Sequence, residues 1–385
     1  MSNASNRNQS LDVLRCIAIL LVVGFHLPYY DYWGRFGWMG VDLFFVLSGF
    51  LISGLLFQEY KKTRSIDLKR FLIRRGLKIY PSFYLLIIMA GVLSLVLRSS
   101  TLRTQTLISA VFAQGYYSGT GHALLGHTWS IAVEEHFYLL LPLLLLLLIS
   151  RRRSDDPFRM IPALFVILAV VCFAFRWFTL PDTLAAKMTH MRMDGLFAGV
   201  TLGYFYHFRR PLFDRFTGHY ALLLGILCVI PTLLLSQHNH MMQTFGLTGL
   251  LIGFSFLVAW SVVRAPKSRT GRIVSKAAAR IGFYSYSIYL WHTALLYLFI
   301  DRSGPPALIF WAYLATCLVG GIVMAHLVEM PYLAMRERLF PNVFPPPRVA
   351  AASDEAPTPD AQGRQPGSLA EASTLPQSSP DSVVS

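Results

Sequence analysis

Apolar residues along this chain come in long unbroken runs instead of the three-and-four rhythm of a water-facing helix. Stretches of about 17–25 residues, the length that crosses a bilayer, fall at residues 11–28, 38–58, 79–98, 128–150, 161–179, 188–207, 220–236, 244–263, 282–300 and 306–328. Ten such stretches predict an all-α, polytopic membrane helical bundle whose two termini share a side. The connection 99–127 is the longest in the bundle, and its middle, TLISAVFAQG, is apolar yet too short to cross, as in a re-entrant or interfacial segment. Past residue 340 the pattern stops. From FPPPRVAAASDEAPTPDAQG onward the chain is rich in Pro, Ser, Ala and acidic residues, which cannot bury a core. The expected organisation is an N-terminal cytoplasmic segment over 1–10, a transmembrane domain over 11–340 and a disordered cytoplasmic tail over 341–385. No internal repeat is visible.

Composition agrees: of 385 residues 54% are hydrophobic and only 14% charged, against about 25% charged in soluble domains. The net charge of +14 does not point to nucleic acid, because the cations alternate with apolar runs instead of lining one soluble face. Alternate connections hold Lys61, Lys62, Arg64, Lys69, Arg70, Arg74 and Arg75, then Arg151 to Arg153 with Arg159, then Arg209, Arg210 and Arg215, then the basic run from Arg264 to Arg280. The opposite ones hold Arg35, Arg103, Lys187 and Arg302, with Arg98 at an edge. The positive-inside rule makes the termini cytoplasmic. Cys16, Cys172, Cys228 and Cys317 all lie in apolar runs without a CxxC pair, which suggests neither disulfides nor a thiolate metal site. The first run follows Arg7 like a signal peptide, but no small-residue cleavage site follows it, so it reads as a retained span.

Charges inside the runs change the picture, because ionisable groups in hydrocarbon are costly and are kept for a reason. The first run carries Asp12, Arg15 and His26, and the second Asp42, Ser48 and Gly49. Arg15 and His26 are eleven residues apart, so they share a helix face about 16 Å apart along its axis. The second run returns and brings Asp42 to His26's side, where a carboxylate can set an imidazole's tautomer and raise its basicity. The competing reading is a buried polar cluster that glues helices. The fourth run opens TWSIAVEEHF, with Glu134, Glu135 and His136. Adjacent carboxylates point about 100° apart, so one faces a cavity and the other packs. The order Glu-Glu-His lacks the second histidine of a zinc motif, and no metal site is expected. RFLIRRGLKIYP puts Arg74, Arg75 and Lys78 at the inner end of the third run, where they suit either phosphate or plain lipid anchoring. Arg15, buried without topological need, favours phosphate. Arg192 and Asp194 are two apart and must pair with different helices. His292 reads as an interhelical hydrogen-bonder or a substrate contact. Glu329 reads as a cap or a partner for inner cations.

Taken in order, Arg15 with His26, GVDLFFVLSGFLI, the basic motif before Tyr80 and Pro81, TWSIAVEEHFYLLLP, RMDGLFAG and GFYSYSIYLWH resemble the acyltransferase type 3 family of integral membrane O-acyltransferases. The resemblance runs from residue 11 to about 335. It implies a multi-pass protein of the bacterial cytoplasmic (inner) membrane. Such a protein takes acyl groups, commonly acetyl, from cytoplasmic acyl-CoA and places them on a hydroxyl of an extracytoplasmic glycan or lipid-linked sugar. It also implies that His26 is essential and the basic motif lies near the donor. Two features depart from the family pattern. The basic motif often ends in a second arginine, whereas here Arg75 is followed by Lys78, and the tail is too short and polar to be an SGNH-type domain.

The expected mechanism has acyl-CoA as a co-substrate, with no permanently bound cofactor. Its phosphates meet Arg15, Arg74, Arg75 and Lys78, and Ser48 and Gly49 serve helix packing or thioester contact. His26 acts as general base with Asp42. Glu134 joins them as the third catalytic residue, Glu134 or Glu135 binding the acceptor or tuning the site, and Glu135, Trp129, Arg192, Asp194 and His292 serve the acceptor or support the site. A secondary transporter using the same charges as a proton relay is the alternative. Topology is directly testable in a cysteine-free background. A membrane-impermeant maleimide should label Thr101→Cys in intact cells, and Ser368→Cys only after permeabilisation. Labelling of Ser368→Cys in intact cells would reject the arrangement.

Overall fold

The computed structural model describes residues 8–27, 31–117, 123–151, 156–178, 187–266, 268–300 and 303–341. The expected tail beyond residue 341 lies outside the described residues. Eleven helices carry the architecture: α1 Gln9–Phe25, α2 Gly40–Thr63, α3 Leu68–Val96, α4 Trp129–Arg151, α5 Ile161–Phe178, α6 Thr189–Phe208, α7 His219–Leu234, α8 Leu247–Val262, α9 Arg269–Phe283, α10 Ser285–Leu296 and α11 Pro306–Leu339. No strand occurs among the described residues. Every expected run contains helix, but among the described residues only six helices are long and apolar enough to cross a membrane: those containing α2, α3, α4, α5, α8 and α11. The ten-span expectation is corrected to that extent. α1 has 17 residues and α10 has 12, α7 is broken ahead of Pro231, and α6 is long enough but carries Arg192 and Asp194.

Two helices outrun their hydropathy. α3 starts at Leu68 because the Asp67 side chain accepts from the Arg70 N–H at 2.9 Å and caps the first turn. Arg74, Arg75 and Lys78 therefore project from a helix and not from a loop. α11 continues past residue 328 to Leu339 because a π-turn over Ala325–Glu329 re-routes the hydrogen bonds just where Pro331 would otherwise break them. In the long connection, Ser100–Ala110 forms a surface helix of 11 residues that folds back on α3. Tyr84 donates to the Ala110 carbonyl at 3.1 Å, and Phe83 stacks on Phe112 at 4.7 Å.

At the centre α2 and α6 are buried on nearly every side. Glycine lets them meet. A Cβ on Gly49 would strike the Leu196 carbonyl, and one on Gly199 would strike the Val46 carbonyl, so the two backbones touch where any side chain would separate them. Around this pair, α1 packs on α2, α9 and α10, α5 and α4 pack on α6, and α8 closes the far side against α2, α6 and α7. The outward faces stay apolar, with Leu139, Leu140, Leu143 and Leu147 on α4 and Val166, Ile167, Val170 and Val171 on α5 all exposed. Such a surface suits lipid. The chain is a multi-pass membrane protein.

Charges lock the central helices. Arg192 Nη2 on α6 meets Asp42 Oδ1 on α2 at 2.7 Å, with both side chains under a tenth exposed. Arg176 on α5 lies 2.8 Å from Asp194 Oδ2 and donates to the Met191 carbonyl at 2.6 Å. Arg192 and Asp194 thus turn to different helices. Asp42 Oδ2 is buried with no hydrogen-bond partner among the described residues, so Arg192 is the cation that binds it directly. Removing one partner of such a pair strands a buried charge and costs about 3–5 kcal/mol, whereas replacing both with apolar groups is often neutral. Asp42→Asn should therefore lower the melting temperature of the purified protein, and Asp42→Leu with Arg192→Met should recover most of the loss. An unchanged melting temperature in the single variant would show that the pair does not hold the fold.

Candidate active site

His26 is the residue on which α1 ends. Its Nδ1 lies 2.9 Å from the Val22 carbonyl, which can only accept, so this nitrogen carries the proton. His292 on α10 is fixed in the same way, with Nδ1 at 2.5 Å from the Tyr289 carbonyl. That leaves the His292 Nε2 lone pair facing the Nδ1–H of His26 at 3.2 Å. The two assignments, made from independent carbonyls, agree. Together they leave Nε2 of His26 unprotonated and able to take a proton.

A third imidazole supports the pair. His127 sits with its ring 4.9 Å from that of His292. It donates from Nε2 to the Leu290 carbonyl at 3.1 Å, and its Nδ1 lies 3.1 Å from the Thr293 hydroxyl. Tyr289 donates to the His127 carbonyl at 2.7 Å and lies 2.6 Å from the Ser130 hydroxyl. His127 and His292 are buried while His26 is half-buried, which makes His26 the member a substrate can reach. Hydropathy and charge do not single out His127, although GHTWS at the head of α4 puts a histidine beside the buried acids. Among the described residues no group of three His, Cys, Asp or Glu side chains is arranged for a metal ion.

The partner expected for His26 does not stand there. Asp42 is held by Arg192, and the ring that contacts His26 is His292. Spacing along the chain sets which side of the bundle Asp42 occupies but not which neighbour reaches it first. The Arg192 guanidinium lies over Phe45 and Trp129, 5.6 and 5.4 Å from the ring centres, so Trp129 walls the ion pair.

Nearer the basic end, Glu134 and Glu135 separate as adjacent helical positions must. Glu134 accepts from the Ser48 hydroxyl at 2.8 Å and the Tyr138 hydroxyl at 2.7 Å. Glu135 turns to α3 and accepts from Tyr80 at 3.1 Å. Arg75 lies against the rings of Phe71 and Tyr138, 5.9 and 5.7 Å from their centres, with no carboxylate bound to it among the described residues. Arg75 and Lys78 both act on the charge of Glu134. Ser48, Glu134, Tyr138 and Arg75 thus join α2, α4 and α3 in one polar cluster.

Three other expectations change. Gly49 cannot touch a donor, because the α6 backbone fills its place. Arg15 is bound to Asp12 at 2.8 Å, and Arg74 to Glu337 at 2.9 Å, so neither is a bare cation. Glu329 accepts from the Ser287 hydroxyl at 2.7 Å and not from an inner cation.

A family description, acyltransferase domain, matches residues 8–327. The peptidoglycan O-acetyltransferase of Listeria monocytogenes is 29% identical over 313 residues, 74% of this chain and 49% of that protein. A Bacillus subtilis protein provisionally named a peptidoglycan O-acetyltransferase is 27% identical over 361 residues, 86% of this chain and 55% of its own. Provisionally named O-acetyltransferases of Staphylococcus aureus are 37% identical over 141 residues, 34% of this chain and 23% of theirs. The chain spans about half the length, or less, of these curated relatives. No solved structure matches it. With the family match covering all the helices described up to the π-turn of α11, the chain belongs to the type 3 acyltransferase family.

Proposed function

We propose that the protein is a membrane O-acyltransferase, in the first instance an O-acetyltransferase. It moves the acyl group of cytoplasmic acyl-CoA to a hydroxyl of an extracytoplasmic glycan, of which peptidoglycan is the class its relatives' names suggest. The observation that carries this reading is the half-buried imidazole of His26, held by a carbonyl and a second imidazole with its basic nitrogen unprotonated. In the reaction, His26 Nε2 takes the proton of the acceptor hydroxyl as that oxygen attacks the thioester carbonyl. The tetrahedral intermediate then collapses, the C–S bond breaks, and the departing thiolate takes the proton back from His26. His292 holds the tautomer, the role first expected of Asp42.

The donor's phosphates lie at the basic end, among Arg15, Arg74, Arg75 and Lys78, and its chain rises past Ser48 and Glu134. The protein sits in the bacterial cytoplasmic membrane with both termini inside, by the charge bias of its connections.

Glutamine in place of His26 keeps a hydrogen-bonding side chain but cannot take up a proton. His26→Gln should fold, melt at the parental temperature and bind acetyl-CoA, yet transfer acetyl at least about 10²-fold more slowly. The assay follows acetyl transfer, melting and acetyl-CoA affinity in one detergent preparation. Near-parental turnover would remove His26 from the chemistry. Loss of turnover together with the fold would return it to packing.

A further inference from the structure

The cations at the start of α3 are not equivalent. Arg75 has aromatic rings beside it and no bound carboxylate among the described residues. Arg74, one position earlier, is held from the far end of the chain. Its Nη2 lies 2.9 Å from Glu337 Oε1 and its Nη1 3.5 Å from Oε2, and Nη1 also donates to the Phe340 carbonyl. The same Glu337 Oε1 accepts from Arg336, from Nε at 3.0 Å and from Nη2 at 2.7 Å. Two guanidiniums, 17% and 20% exposed, therefore share one carboxylate that is 46% exposed. Arg75 feels the repulsion of both Arg336 and Arg15. Arg15 is paired with Asp12, Arg74 and Arg336 share Glu337, and Glu134 acts on Arg75 from α4.

The geometry points to a phosphate-binding site formed by Arg74, Arg75 and Arg336, in which Glu337 is a built-in counter-ion that an incoming phosphate displaces. A carboxylate offers two oxygens and one charge to two planar forks. A phosphate offers three oxygens and more charge, and so satisfies both forks and the neighbouring Arg75. Glu337 is poorly placed to resist, since an exposed ion pair is weak and screened by salt. Arg336 lies outside the basic motif of α3 and reaches the site only because the π-turn carries α11 to Leu339. The assignment rests on the proposed function in one respect: the phosphate it is built for is that of acyl-CoA. A phospholipid headgroup presents the same chemistry.

The test uses the full-length protein in nanodiscs of zwitterionic lipid, titrated calorimetrically with inorganic pyrophosphate and with coenzyme A. Glu337→Gln should tighten both by about two- to five-fold, the worth of an exposed pair. Arg336→Gln should weaken both by at least about ten-fold. Repeating the titration with phosphatidylglycerol in the nanodisc separates the sources. Competition by that lipid, with the same response to the two variants, keeps the site and makes a headgroup its occupant. Its absence leaves the nucleotide phosphates. Pyrophosphate binding does not require acyl transfer, so variants that respond as stated in a protein that transfers nothing would keep the site and reject the proposed function. Unchanged affinity for both anions in both variants, with unchanged melting temperatures, would overturn the site.

Discussion

A charged side chain inside a bilayer has no water to answer it, so each buried charge must find its partner within the protein. In this chain that requirement falls on Asp42, and the answer depends on how closely α2 and α6 approach. Gly49 and Gly199 let the two backbones touch, which sets the register that puts Arg192 within 2.7 Å of Asp42. The same register turns Ser48, next to Gly49, away from α6 and toward Glu134 on α4. One close approach thus pairs the buried charge of Asp42 and aims Ser48 into the polar cluster. Widening it by a methyl group would disturb both.

With Asp42 committed to Arg192, the orientation of His26 passes to a neutral group, and this alters the proposed chemistry. A carboxylate behind an imidazole stabilises the imidazolium and holds the proton once it is taken. His292 fixes the tautomer through its lone pair but adds no fixed negative charge beside His26. That arrangement suits a reaction in which the proton is borrowed from a hydroxyl and returned to a thiolate within one turnover. The burial of His292 and the anchoring of its Nδ1 at the Tyr289 carbonyl keep the acceptor lone pair aimed at His26.

Much of this is legible in the chain itself. The apolar runs locate the helices, and the charges inside them pick out His26, Glu134 and Arg75. Periodicity fixes a side chain's face and depth, not its neighbour, and for that reason it matches Asp42 to the wrong partner. Hydropathy also marks where lipid begins and not where a helix begins. The Asp67 cap places the start of α3 well before residue 79, and the π-turn carries α11 past a proline that reads as a stop. His127 escapes notice because it stands at the edge of an apolar run, where a histidine is unremarked. Only the fold brings it against His292.

The separation along α1 constrains which donors the proposed reaction can use. Arg15 and His26 stand about 16 Å apart on one helix, with Arg75 near the first and the acceptor side near the second. A molecule whose phosphates rest among the cations can present its acyl carbon to His26 only if a flexible arm of about that length joins the two. A compact acyl phosphate would satisfy the cations and leave the carbonyl far from the base, or reach the base and forgo the cations. The Ser48, Glu134 and Tyr138 hydrogen bonds stand beside Arg75, which lies against the Tyr138 ring. Two hydroxyls and the Glu134 carboxylate there supply polar contacts for an amide-bearing chain. The polarity of the bundle, cations at one end and a base at the other, therefore favours an extended thioester over any small acyl donor.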